Sequence, residues 1–165
     1  MRISNDNDKV LSQVIGRALS GEGAHASTQN VFDGLAWTDA ALRPAGAPHS
    51  IFQLMTHTTY WQNWVLQWLA GDEPVVPKHA AGSWRSTPGP SSAQEWKRAV
   101  GEFREGLKQL ESQSRKVDLL GQIGRTSNLR MLHAIASHTS YHVGQVVLVR
   151  QLLGKWPPPS GGLTW

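Results

Sequence analysis

The chain has 165 residues, with 16 basic and 12 acidic side chains, seven histidines, eight tryptophans and no cysteine. That length fits one domain, 1–165, able to bury its own core, and the lack of cysteine excludes a disulfide scaffold, a thiolate zinc site, an iron–sulfur centre and a cysteine nucleophile. Basic residues scattered singly under a net charge of +4 argue against nucleic-acid binding, and the lack of a long apolar run or an apolar N-terminus leads us to expect a soluble, cytoplasmic protein with no membrane partner.

Helical periodicity dominates, and no window alternates over more than a few residues. Residues 6–20, with Val10, Leu11, Val14, Ile15 and Leu19, predict a first amphipathic helix stopped near Gly21 and Gly23. A short helical piece is expected around Ser27–Leu35, and Thr38 is placed to cap a further turn through Leu42. After the loop Arg43–His49, Ser50 and Gln53 have the spacing of a capping box, so a second long helix should start near Ser50 and run to about Ala70, where Gly71 stops it. Residues 72–90, rich in Pro and Gly, form a long connection. A third long helix should begin at Ser91 or Ser92, with Gln94 or Glu95 as box partner, and reach about Arg115. Beyond Gly121–Gly124, Thr126 or Ser127 opens a fourth, which ends at Gly154 because the prolines after Trp156 cannot continue it. Four long helices predict an all-α four-helix bundle. The connection between the second and third is far longer than a hairpin needs, which allows those two helices to run parallel.

The carboxylates are unevenly placed. None occurs between Asp39 and Asp72, and none after Asp118, although those two windows hold five of the seven histidines. On the second helix the stripe at three- and four-residue steps is Leu54, His57, Trp61, Trp64 and Trp68; on the fourth it is Met131, Ile135, His138, His142, Val146 and Val149. His138 and His142 are spaced i, i+4, so their Cβ atoms are neighbours on one face. A lone core histidine is usually a hydrogen-bonded packing residue. Two buried imidazoles side by side, with no carboxylate on either helix to partner them, are better explained by a divalent cation. His133 is far round the helix from both, His25 and His79 fall in loops, and His49 precedes the second helix as a capping-region residue. Without carboxylates, a ferritin-like di-iron site and a two-histidine, one-carboxylate iron site are both excluded. Three imidazoles suit Zn²⁺ or Ni²⁺ and leave coordination positions open for water or substrate. Tyr141 and Gln145 are the candidates to orient substrate or water, the alternative being packing or helix-surface polarity, and Trp61 and Trp64 are the candidates to wall a pocket, the alternative being core filling.

The segments Pro48-His-Ser-Ile-Phe-Gln-Leu-Met-Thr-His57, Ala136-Ser-His138-Thr-Ser-Tyr141-His142-Val-Gly-Gln145-Val146 and Leu153-Gly-Lys-Trp-Pro-Pro158 together resemble the DinB-like (YfiT-like) family of metal-dependent enzymes, over most of the chain. The resemblance implies an up-down-down-up four-helix bundle and a divalent metal held by the family's three histidines, which match His57, His138 and His142. It also implies a homodimer, and a small-molecule substrate acted on through hydrolysis or by transfer to a low-molecular-weight thiol. In a cysteine-free chain that thiol would have to be a cosubstrate. The alternative within the same family is a non-catalytic stress-response or binding bundle in which the metal only staples two helices.

Overall fold

A computed structural model describes residues 6–162 of the chain. Five α-helices account for most of them: α1 (Asp6–Ser20), α2 (Trp37–Ala40), α3 (Ile51–Leu69), α4 (Ala93–Ser114) and α5 (Asn128–Leu152). A 3-10 turn, Ala80–Ser83, lies in the connection between α3 and α4, and a two-stranded antiparallel ribbon, β1 (Gln122–Ile123) with β2 (Thr126–Ser127), precedes α5. Among the described residues the fold is therefore all-α but for one small hairpin, turned at Gly124 with φ +61°.

Local chemistry sets the ends of the long helices. Ser50 accepts from the backbone N–H of Gln53 while the Gln53 amide oxygen accepts from that of Ser50, a complete capping box at the start of α3. Ser92 and Ser127 cap α4 and α5 through the N–H groups of Glu95 and Arg130. Glu95 does not close the box on Ser92; its carboxylate takes the N–H and hydroxyl of Ser91 instead. Gly71 follows α3 and Gly154 follows α5, both with positive φ, the left-handed conformation that ends a helix and that glycine adopts without a Cβ clash.

Two expectations are corrected. Residues 27–35 are not helical: successive three-residue turns run from Ser27 to Asn30, Asn30 to Asp33 and Phe32 to Leu35. The backbone there is claimed by the rest of the molecule, since the Val31 carbonyl accepts from the Arg150 guanidinium and Val31, Phe32 and Leu35 are drawn into the core. Thr38 caps nothing, because α2 starts one residue earlier after Ala36, has no side-chain cap and ends at Ala40, short of Leu42.

The core forms two clusters stacked along the helices. One joins Ile51, Phe52, Leu54 and Met55 of α3 with Trp96, Ala99 and Phe103 of α4 and Val143, Val146 and Val149 of α5. The other joins Ile15 and Leu19 of α1 with Val65, Leu107, Leu110, Leu132, Ile135 and Ala136. The early turns of α3 thus share a cluster with the early turns of α4 and the late turns of α5. Fully buried aliphatic and aromatic side chains of this size contribute about 1.5–3 kcal/mol each, so this frame holds the helices in register. His57 lies between the two clusters along α3, and His138 and His142 lie between them along α5.

Candidate metal centre

The helix face of α3 that carries His57 also carries Ser50 and Gln53, at three- and four-residue steps. All three reach the connection to α4: the Ser50 hydroxyl donates to the Pro88 carbonyl, Gln53 Nε2 donates to the Arg85 carbonyl at 2.9 Å, and His57 Nδ1 donates to the Ser83 carbonyl at 3.3 Å. Segment 83–88 is therefore strapped antiparallel along the first turns of α3. It brings Trp84 with it, and the indole stacks on His57 with ring centroids 3.8 Å apart and on His49 at 3.7 Å.

His57 Nε2 comes within 3.2 Å of His138 Nε2, which in turn lies 3.1 Å from His142 Nε2. Among the described residues, these three are the group of metal-ligating side chains whose donor atoms lie within 4.8 Å of one another. His57 and His142 are each 6% exposed. The outer nitrogens explain which way the rings face. A carbonyl oxygen only accepts, so Ser83 fixes the proton of His57 on Nδ1; the Gln145 amide oxygen does the same for His142, at 2.7 Å. Both Nε2 atoms are then bare lone pairs. A hydrogen on His138 Nε2 could satisfy one of them but not both, and His138 Nδ1 is buried without a hydrogen-bond partner.

The donor set fits a divalent ion. Two nitrogens bound at 2.0–2.1 Å to a tetrahedral ion lie about 3.3–3.4 Å apart, close to the two Nε2 separations here. The electrostatics agree. Burial, with help from His142, pushes the pKa of His57 down to about 4, and burial with help from His142 and His57 does the same for His138. Burial also lowers His142, against the opposing effect of Gln145. At neutral pH the cluster is three neutral imidazoles, the form that binds metal.

The other sequence candidates are distributed around this cluster. Gln145 holds His142 and donates from Nε2 to the Tyr141 hydroxyl at 3.4 Å. Tyr141 is 65% exposed, its ring 5.1 Å from that of His142. Trp61 stands edge-on to both His57 and His138 at 6.4 Å, and Trp64 packs behind it at 6.0 Å. His49 stays outside the triad, on the far face of Trp84. His133 and His79 are exposed, and His25 bonds the Ser140 hydroxyl instead. Ser83 and Trp84 are contributions that sequence reasoning missed. The available signal was a tryptophan in a polar, Pro/Gly-rich connection, where such a large apolar side chain must find cover.

A family model described as the DinB superfamily matches residues 21–146, most of the chain, and the chain belongs to that superfamily. The match includes all three histidines and Gln145 and leaves out α1 and the Trp156-Pro157 end. No curated protein and no solved structure matches.

Proposed function

We propose that this member of the DinB superfamily is a metal-dependent enzyme of the hydrolase or thiol S-transferase type, with Zn²⁺ or Ni²⁺ on His57, His138 and His142, acting on a small molecule. The observation that carries the reading is the convergence of three Nε2 atoms, two of them left bare by Nδ1 bonds to carbonyl oxygens. On this reading the helices form the up-down-down-up bundle of the family, with α3 and α4 parallel, and the protein is a cytoplasmic homodimer.

An ion on three neutral ligands retains its full double charge and supplies Lewis-acid chemistry, acidifying water or a low-molecular-weight thiol toward neutral pH. The chain's own residues supply the rest. Ser83 and Gln145 keep the protons of His57 and His142 on Nδ1, so the donor lone pairs stay turned inward. Trp84 covers one face of His57, while Trp61 stands edge-on beside it, and together they exclude water from that side of the imidazoles. Tyr141, exposed and joined to Gln145, is placed to orient a substrate at the rim.

The test is elemental analysis of protein purified without chelator or added metal. About one zinc or nickel per chain is expected, with the metal lost in His138→Ala. Metal-free protein whose unfolding midpoint is indifferent to chelator would overturn the reading. The metal-loaded protein should then either consume a low-molecular-weight thiol in the presence of an electrophile or hydrolyse ester and amide probes. Silence in both assays from a fully loaded protein would favour the stapled, non-catalytic bundle.

A further inference from the structure

A cavity of about 250 Å³ lies beside the triad, between the loop before α3 and the end of α5. Ala47, Pro48, Leu54, Leu148, Val149 and Leu152 supply apolar wall, and no charged residue lines it. Its two polar side chains are His49 and Gln145. Gln145 touches the centre directly, bonding His142, and His49 reaches it only through the indole that backs His57. At the opposite extreme of polarity, Leu148 and Leu152 are 55% and 57% exposed, leaving apolar surface in water around the same cavity.

We propose that this cavity binds the apolar portion of a small neutral molecule, with the polar end of that molecule toward His49 and Gln145. An apolar cavity of ~150 Å³ takes a benzene-sized guest, so this one takes an alkyl or aryl group of about six to eight carbons. The inference rests on the metal-enzyme reading only in making that group part of a substrate. Its binding chemistry is independent of any ion. Burying one methylene is worth roughly a four-fold gain in affinity, which gives the site a chain-length signature that surface adsorption lacks.

The experiment uses the full chain, treated with chelator, at neutral pH. The probes are 1-butanol, 1-pentanol and 1-hexanol, followed by methyl resonances of Leu54, Leu148 and Val149. Saturable shifts are expected, tightening about four-fold per methylene. Ala47→Phe, which fills the cavity, and Leu148→Asp, which puts a charge on its wall, should each weaken hexanol at least ten-fold. Val10→Asp, an equally exposed apolar position on α1, should leave hexanol binding unchanged. Circular dichroism of each variant establishes that it is folded. Shifts that rise linearly to the solubility limit, or hexanol affinity unchanged in both cavity variants, would overturn the proposal. Chain-length-dependent binding by a protein that carried neither zinc nor nickel as purified, before chelator, would leave this pocket standing and remove the enzyme reading. Zinc or nickel present as purified, without chain-length dependence, would remove the pocket alone.

Discussion

Arg150 lies about two turns beyond His142 on α5, and both side chains are removed from solvent, yet their polar atoms are treated in opposite ways. The Arg150 guanidinium ends on the protein's own acceptors: it donates to the Lys155 carbonyl at 2.9 Å and the Val31 carbonyl at 2.5 Å, under the ring of Trp156. It ties the end of α5 to the 27–35 turns through Nε and one Nη. The triad meets the protein's acceptors only through Nδ1 of His57 and His142, while His138 Nδ1 has no partner and three Nε2 atoms face one another. Burial alone does not mark a functional polar group. What separates the two regions is whether the buried nitrogens turn toward acceptors of the protein, as in Arg150, or toward one another, as in the triad.

That contrast can be broken by substitution. Arg150→Ala should have the largest effect on stability, about 3–5 kcal/mol, because it leaves the buried Val31 carbonyl without its donor and a void where the side chain was. Urea denaturation measures it, and the folded fraction should keep its metal content. A loss under about 1 kcal/mol would contradict a structural role. His138→Ala should do the reverse, lowering zinc affinity by more than 100-fold, beyond the ~10–100-fold typical of an outer partner. Competition with a chelating dye reads that change. Gln145→Leu removes the acceptor that fixes His142 and should cost about 10–100-fold in zinc affinity. An unchanged affinity would mean that the His142 tautomer is set elsewhere.

The smallest effect is on pH dependence. His57 and His138 titrate near pH 4 in the folded protein and near 6.5 in an unfolded chain. Between those values the unfolded chain binds protons that the folded form refuses, so the metal-free protein loses stability as pH falls from about 6.5 toward 4, and this contribution to the loss levels off below 4. Replacing both with glutamine should flatten that part of the profile. Thermal midpoints of the two proteins that stay parallel across the window would show that burial of these rings does not resist protonation.

Much of the fold was legible because helix ends are written locally. Ser50 with Gln53, Ser92, Ser127, Gly71 and Gly154 each act within a few residues of themselves, and all act where their spacing predicted. The 27–35 segment was not legible, because its apolar residues and its Val31 carbonyl answer to α5 and the core, far away in sequence. The triad was legible as residues: an i, i+4 pair is local, and the apolar stripe put His57 in the same interior. The strap was not, since Ser83 and Trp84 reach His57 only when the long connection folds back along α3. Gln145 was visible as a neighbour of His142 on the same helix, but its atoms hold the imidazole rather than point outward for a substrate.

The sequence by itself determined where the long helices start and stop, which two of them carry imidazoles, and that no carboxylate accompanies them, since each of these depends on residue type and short-range spacing. For His57, the tertiary structure decided which nitrogen faces inward. That choice belongs to whichever acceptor reaches Nδ1, and for His57 the acceptor is a backbone carbonyl twenty-six residues away, brought there by packing that no local pattern encodes.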